Sequence, residues 1–156
     1  MKIRLIFFDI DGTLTDGKIY VGANGEMMKA FDVKDGYAIY RMLPEHDIIP
    51  VIITGRTSEI VKRRAGELGI SELYQGITDK TGTLRAVMEK YGCEMENAAY
   101  FGDDIPDLAA MEQCGLKGCP ADAVAEVKNI CDYICAKNGG NGAAREFIEW
   151  MLRRVD

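Results

Sequence analysis

Two aspartates directly follow an unbroken apolar run near the start of the sequence. In LIFFDIDGTLT (5–15), four hydrophobic residues precede Asp9, and Asp11 lies two positions further on. An ionised carboxylate held against an apolar core is costly unless a cation or hydrogen bonds compensate it. In extended backbone, residues two apart point to the same side, so both carboxylates face one place. The pattern therefore predicts a positive charge at this point.

A second acidic cluster ends another apolar run. GDDIPD (102–107) follows the hydrophobic residues 98–101 and contains Asp103, Asp104 and Asp107. Clustered carboxylate oxygens are hard ligands, which Mg²⁺ prefers. An aspartate at a strand-to-helix junction also commonly caps the helix. Because two acidic clusters end two apolar runs, the pattern favours a shared magnesium site over capping alone.

A phosphate-binding segment and a lysine complete the set. Thr54 and Gly55 end the apolar run in VIITGR (51–56), where a hydroxyl and free backbone N–H groups can hold a phosphate. Lys80 opens a predicted helix and would supply positive charge for Asp9 and for a phosphoryl group. Taken alone, Thr54 is equally a helix cap, and a lysine is normally a solvated surface charge. Together, the residues predict phosphoryl transfer.

The hypothesis is a two-step reaction with a covalent intermediate. Asp9 attacks phosphorus and forms an aspartyl-phosphate, a role that carboxylates take in phosphoryl enzymes. Mg²⁺ and Lys80 neutralise the phosphoryl oxygens, while Thr54 positions them. Asp11 protonates the departing alkoxide and then takes a proton from the water that hydrolyses the intermediate.

Strands and helices alternate along the chain around these residues. Strands are predicted at 5–8, 48–53, 73–74, 98–101, 116–118 and 133–134, and helices near 36–45, 57–68, 79–91, 105–113, 122–128 and 142–153. This alternation predicts an α/β fold with a doubly wound, mostly parallel sheet of Rossmann-like type, whose ligands bind at the carboxyl ends of the strands. Asn24-Gly25, between two β-prone arms, predicts a β-hairpin flap at about 17–33.

Composition limits the classes of function. The 156 residues are 47% hydrophobic and 28% charged, with a formal net charge of −6, which is typical of one globular domain and argues against a non-specific nucleic-acid binder. The five cysteines include no CxxC pair, so we expect reduced thiols. No apolar run approaches the ~20 residues that cross a membrane. We expect a cytoplasmic protein without membrane or nucleic-acid partners.

The motifs, in this order, resemble the four signature motifs of the haloacid dehalogenase superfamily. They are DIDGTLT (9–15), the strand that ends in Thr54, the later Lys80, and GDDIPD (102–107). The resemblance implies the fold of that superfamily, without a separate cap domain because no segment between the motifs is long enough for one. It also implies magnesium-dependent chemistry.

The same resemblance implies a role for each aspartate. Asp9 would be the nucleophile and Asp11 the acid and base. The metal would be held by Asp9, the backbone carbonyl of Asp11, and Asp103. Asp104 would be a neighbouring carboxylate and Asp107 a positioning group behind the metal ligands.

A narrower resemblance covers nearly the whole chain. The segments 19–39, 54–56, 74–80 and 139–147 are similar to 3-deoxy-D-manno-octulosonate 8-phosphate phosphatases. These are short, capless members of the superfamily that work as tetramers. The resemblance implies one domain over 1–156, a homotetramer, and neighbouring subunits that close each other's active sites. The flap and a C-terminal segment at about 138–156 would lie near the mouth of the site.

This resemblance also implies a pocket for a sugar acid that carries a carboxylate and a phosphate. The residues assigned to it are Asp32, Asp35, Gly36, Gly55, Arg56, Arg64, Lys80 and Arg145. Arg56 and Arg64 are candidate forks for the carboxylate. Arg145 either reaches a neighbour's site or pairs with Glu149 one turn later. We expect truncation after Gly139 to weaken substrate selection or product release more than folding.

Other functions stay open at this point. Tyr40 stands where octulosonate phosphatases tend to have a basic residue, which admits a nine-carbon keto-sugar acid 9-phosphate as substrate. Arg56 favours the eight-carbon sugar, because the nine-carbon phosphatases tend to have glutamate there. A phosphatase of another small ester, a phosphoglycomutase-like transferase, a non-catalytic oligomerisation domain and a phospho-receiver domain are the remaining alternatives.

Overall fold

The computed structural model describes residues 2–155 and contains eight strands in this range. They are β1 (Leu5–Phe8), β2 (Tyr20–Gly22), β3 (Gly25–Met28), β4 (Ile49–Ile53), β5 (Glu72–Tyr74), β6 (Ala98–Phe101), β7 (Leu116–Cys119) and β8 (Tyr133–Ile134). Six of them form one parallel sheet in the order β5-β4-β1-β6-β7-β8. The predicted doubly wound sheet is confirmed, and each of its six strands was predicted to within one residue at each end.

Several helices are shorter than predicted, and two of the predicted helices are divided by turns of another helix type. They are α1 (Val33–Tyr37), α2 (Leu43–Glu45), α3 (Glu59–Glu67), α4 (Lys80–Lys90), α5 (Leu108–Met111), α6 (Ala125–Lys128) and α7 (Ala143–Val155). A π-helical turn, Ala38–Met42, joins α1 to α2. The predicted helix at 105–113 is a 3₁₀ turn, Ile105–Asp107, followed by α5, because Asp104 caps the turn and Pro106 lies in it.

The sheet separates two apolar layers. Ile6 and Phe8 of β1 pack with helices α3 and α7, while Leu5 and Phe7 pack with α4. All four side chains are buried because both faces of a central parallel strand are covered. This burial explains the continuous apolar run before Asp9 and fixes the carboxyl end of β1 at the middle of the sheet.

The predicted flap is a separate antiparallel hairpin. Strands β2 and β3 pair with Gly22 opposite Gly25, and Gly25 has φ +109°, a conformation that glycine adopts without strain. In the sequence, the flap directly follows the loop that carries Asp11. It is therefore placed to cover the carboxyl end of β1.

Helix α7 lies in the core. Its buried side chains are Ala143, Ala144, Phe147, Ile148, Met151 and Leu152. Phe147 stacks on Phe101 with ring centroids 5.0 Å apart. The expectation that a chain truncated after Gly139 would largely keep its fold does not fit this packing.

The segment before α7 packs against the loop that follows β1. A Cβ atom built on Gly139 would lie 2.0 Å from the carbonyl oxygen of Gly12, and one on Gly140 would lie 2.5 Å from the backbone nitrogen of Asp16. Only glycine permits such close backbone approach. The C-terminal segment thus supports the loop that carries Asp11 from behind.

Between residues 2 and 155, no helix is both long and apolar enough to traverse a bilayer. The cytoplasmic location stays a prediction.

Candidate active site

A pocket of about 430 Å³ lies at the carboxyl ends of the central strands. It is lined by Asp9, Asp11, Thr54, Gly55, Arg56, Ile77, Thr78, Lys80, Asp104, Pro106 and Asp107. The residues that the four motifs contribute come from strand ends that are far apart in sequence. The pocket brings them together where parallel sheets bind their ligands.

Lys80 lies between two carboxylates at the base of the pocket. It is the first residue of α4, and Asp79 caps this helix by accepting a hydrogen bond from the Gly82 amide at 2.9 Å. The Lys80 ammonium donates to Asp9 Oδ1 at 3.1 Å and to Asp107 Oδ1 at 2.8 Å. Burial lowers the pKa of Lys80, but the two carboxylates outweigh it and raise the pKa. Lys80 is therefore the buried cation that the sequence predicted beside Asp9.

One lysine does not balance the acidic groups around it. Oxygens of Asp9, Asp103 and Asp107 lie within 4.8 Å of one another. Burial, reinforced by Asp107, raises the pKa of Asp9 to about 6 against the opposing effect of Lys80. Burial also raises the pKa of Asp103 to about 8, although Thr13 opposes it. Three crowded carboxylates, of which Asp9 and Asp103 have raised pKa values, form a donor set that fits a divalent cation such as Mg²⁺.

The loop after β1 fixes the position of Asp103. The Thr13 hydroxyl donates to Asp103 Oδ1 at 2.8 Å. A Cβ atom on Gly12 would lie 2.0 Å from Asp103 Oδ2, and Gly12 has φ +88°. The glycine and the threonine that follow Asp11 in the first motif therefore position a carboxylate of the last motif.

Asp107 makes more contacts within the site than expected for a positioning group behind the metal ligands. Its side chain is fully buried, and Oδ1 accepts from Lys80 and from the Tyr100 hydroxyl, the latter at 2.9 Å. Oδ2 accepts from the backbone amides of Asp103 and Asp104 at 3.2 and 3.4 Å. Sequence reasoning missed Tyr100 because an aromatic residue in an apolar strand is indistinguishable from ordinary core.

Asp11 points its carboxylate toward the flap. Lys29 donates to Asp11 Oδ1 at 2.5 Å and lies 3.2 Å from Glu26. Arg56 approaches the same two carboxylates at 4.0 and 3.7 Å, and the Ser58 hydroxyl donates to Glu26 at 2.5 Å. Sequence reasoning missed Lys29 and Glu26. The only sequence signal for them was that both are charged residues in or directly after the second strand of the predicted hairpin.

Several residues assigned to the substrate lie outside this pocket in the single chain. Asp32 caps α1, and Asp35 is buried with Oδ1 accepting from the Arg145 amide at 2.9 Å. Asp35 Oδ2 has no partner among residues 2–155, and burial raises the pKa of Asp35 to about 6. Arg145 pairs with Glu149 at 2.5 Å, which is the local alternative for this residue.

Arg64 and Gly36 also lie beside the pocket rather than in it. The Arg64 guanidinium lies over the Phe31 ring, and Gly36 leaves room for its Nη2 atom. Arg64 lines a separate groove of about 280 Å³ that also contains Lys29. Asp104 lines the main pocket but is exposed and caps the following turn.

The fold and the site define a carboxylate-rich phosphoryl-transfer enzyme. Residues 58–147 match the model of the haloacid dehalogenase-like hydrolases. The chain is 45% identical to the 3-deoxy-D-manno-octulosonate 8-phosphate phosphatase of Escherichia coli K12, over 97% of this chain and 80% of that protein. The chain belongs to the haloacid dehalogenase-like hydrolases and, within them, to the family of these phosphatases.

Solved structures give the same relationship. The cobalt-bound phosphatase of Haemophilus influenzae superposes with a TM-score of 0.94 at 39% identity, covering 99% of this chain and 90% of that one. The phosphatase of Moraxella catarrhalis, in complex with magnesium, phosphate and the KDO molecule, superposes with a TM-score of 0.92 at 43% identity. The match covers 97% of this chain and 86% of the Moraxella chain.

Proposed function

We propose that the protein hydrolyses the phosphate ester of a 2-keto-3-deoxy sugar acid, 3-deoxy-D-manno-octulosonate 8-phosphate, with Mg²⁺ as its cofactor. The observation that carries the proposal is the convergence of Asp9, Lys80 and Asp107 in one pocket that Arg56 also lines, with the Asp103 carboxylate beside Asp9 and Asp107. The named activity of the Escherichia coli relative and the ligands of the Moraxella structure support the same substrate.

Asp9 is the proposed nucleophile. Its carboxylate attacks phosphorus, the bond from phosphorus to the sugar oxygen breaks, and an aspartyl-phosphate forms. Lys80, fixed by Asp107, holds its ammonium beside the attacking group and neutralises negative charge on the phosphoryl oxygens. Thr54 and the Gly55 amide orient those oxygens.

Asp11 is the proposed acid and base. Protonated, it gives its proton to the departing sugar oxygen. It then takes a proton from the water that attacks the aspartyl-phosphate, so that inorganic phosphate leaves and Asp9 is restored. Mg²⁺, held by Asp9, the Asp11 carbonyl and Asp103 with Asp107 close by, would supply positive charge to the phosphoryl group.

Arg56 is the proposed contact for the sugar-acid carboxylate. Its side chain is half-exposed, lines the pocket and approaches the flap residue Glu26 at 3.7 Å. A guanidinium fork pairs with a carboxylate in two parallel hydrogen bonds. This contact distinguishes a sugar acid from a neutral sugar phosphate.

The test is a panel of phosphate esters hydrolysed in the presence of Mg²⁺. We expect kcat/KM for 3-deoxy-D-manno-octulosonate 8-phosphate to exceed that for glucose 6-phosphate by at least about a hundredfold, because only the former offers a carboxylate to the Arg56 guanidinium. The Arg56→Gln variant should lose most of this preference and keep its rate on p-nitrophenyl phosphate. A higher kcat/KM for a nine-carbon keto-sugar acid 9-phosphate would show that the proposed eight-carbon substrate is wrong and that the nine-carbon sugar is the substrate.

We also propose a homotetramer in which neighbouring subunits close each other's sites. Seven of the nine large apolar side chains that are exposed within residues 2–155 lie between residues 19 and 40. They are Ile19, Val21, Met27, Met28, Val33, Tyr37 and Tyr40. Apolar side chains concentrated in this way mark a surface that binds another protein. A neighbour on the flap and α1 would approach Asp32, Arg64 and the groove beside the pocket.

The tetramer is tested by sedimentation equilibrium. We expect the mass of four chains for the wild type, and a smaller species for Val33→Glu, because Val33 is 82% exposed on α1 and a charge there opposes apolar association. KM for the sugar acid phosphate should rise in that variant. Ile134→Glu, an equally severe change on β8, is the matched control and should stay tetrameric. A monomeric wild type with full activity would contradict the proposal.

A further inference from the structure

Tyr100 places one hydroxyl in an otherwise apolar strand. It belongs to β6, is fully buried, and stacks on Phe7 of β1 with ring centroids 6.1 Å apart. A buried tyrosine hydroxyl requires a partner. The partner of Tyr100 is Asp107 Oδ1 at 2.9 Å. The ring packs as phenylalanine would, so the hydroxyl alone distinguishes this residue from ordinary core.

The Asp107 carboxylate is held at both oxygens. Two backbone amides of the 103–104 turn donate to Oδ2, while Tyr100 and Lys80 donate to Oδ1. A Cβ atom on Gly102 would lie 2.7 Å from Asp107 Cγ, so a glycine makes room for the carboxylate. The Asp107 carboxylate cannot rotate without breaking a hydrogen bond. Its Oδ1 atom therefore holds the Lys80 ammonium in one position.

We propose that Tyr100 is a positioning residue that acts through Asp107 to aim Lys80 at the phosphoryl site beside Asp9. This inference rests on the proposed function. Lys80 Nζ is shared between Asp107 Oδ1 at 2.8 Å and Asp9 Oδ1 at 3.1 Å. Without the tyrosine hydroxyl, Oδ1 keeps Lys80 as its only side-chain donor, and the ammonium moves toward Asp107 and away from the reacting oxygens. Displacements of about 1 Å at such a group are costly to catalysis.

The test compares two tyrosine-to-phenylalanine changes. In Tyr100→Phe we expect kcat for p-nitrophenyl phosphate with Mg²⁺ to fall about tenfold, the cost of one hydrogen bond to a charged group, with KM changed less than about threefold. Tyr133→Phe is the matched control, because the Tyr133 hydroxyl also donates to a carboxylate, that of Glu146, at 2.9 Å and away from the pocket. Its kcat should equal that of the wild type.

A double-mutant cycle separates positioning from stability. Tyr100→Phe should have no further effect on kcat in the Asp107→Asn background, because the hydroxyl acts only through that carboxylate. Equal losses in both backgrounds, or wild-type kcat in Tyr100→Phe, would overturn the inference. A fall in Tm of the same size in both phenylalanine variants, with kcat lost only in Tyr100→Phe, supports it. A wild type without phosphatase activity would instead refute the proposed function.

Discussion

Replacing Asp9 with asparagine is expected to lower turnover of p-nitrophenyl phosphate with Mg²⁺ by at least about a thousandfold. The amide cannot attack phosphorus, and no other carboxylate occupies its position at the end of β1. Lys80 keeps its hydrogen bond to Asp107, so the pocket should persist. Residual turnover above about one hundredth of the wild-type rate would show that another group is the nucleophile.

The Asp9→Asn chain should remain folded, which distinguishes lost chemistry from lost structure. The folded-state pKa of Asp9 is about 6, above its ordinary value of 3.8. Between about pH 4 and pH 6, Asp9 is therefore protonated in the metal-free folded chain but ionised in the unfolded chain. Because the folded chain binds more protons in this range, the free energy of unfolding of the wild type falls as pH rises from about 4 to about 6. Asparagine does not titrate, so the Asp9→Asn variant does not lose stability in this way. In EDTA at pH 7.5, we expect Tm of the variant to equal or exceed that of the wild type.

Two companion measurements complete this test. Mg²⁺ should raise Tm of the wild type, because it binds only the folded chain, and should raise Tm of Asp9→Asn less. Asp11→Asn should keep the response of Tm to Mg²⁺, since its predicted contribution to the metal is a backbone carbonyl. It should nevertheless lose most turnover. With p-nitrophenyl phosphate, whose leaving group departs without a proton from Asp11, the aspartyl-phosphate should accumulate on Asp9 because no base activates the water.

A chain that ends at Gly139 is expected to be unfolded. The truncation removes all of α7, whose buried side chains include Phe147, Ile148, Met151 and Leu152. Each such side chain contributes roughly 1.5–3 kcal/mol by burial, and their combined loss is comparable to the whole stability of a typical domain, about 5–15 kcal/mol. Far-ultraviolet circular dichroism and urea titration measure the outcome.

A chain that ends at Leu152 is the matched control. It keeps every buried residue of α7 and removes the exposed Arg153 and Arg154 with the partly buried Val155. We expect a cooperative urea transition with a slightly lower midpoint. A folded chain ending at Gly139 that only loses substrate selection would restore the earlier expectation for this segment.

The sequence predicted the base of the pocket well because the relevant signals are local. Each motif follows a short apolar run, and the carboxyl ends of parallel strands meet at one edge of a sheet. The sequence alone therefore predicted that Asp9, Asp11, Thr54, Lys80 and Asp103 lie together, whereas it assigned Asp107 only a position behind the metal ligands. Their catalytic roles remain proposals, because position alone does not measure chemistry.

The contacts that sequence reasoning missed are long-range. Lys29 reaches Asp11 because the whole flap folds back over the loop, and no local pattern sets that angle. Tyr100 differs from a phenylalanine only by its hydroxyl group, and the partner of that hydroxyl, Asp107, lies in the turn after β6. Asp35 was assigned to the substrate, yet the packing of α1 against α7 directs it to the Arg145 amide.

The contact of Gly139 and Gly140 with the loop after β1 has a consequence for synthesis of the chain. These glycines contact backbone that leaves the ribosome more than a hundred residues earlier. The central strand β1 is likewise made first but pairs only with the later β4 and β6. A nascent chain still attached near residue 139 therefore lacks the backbone that supports this loop, and we expect catalytic competence only after helix α7 has been made.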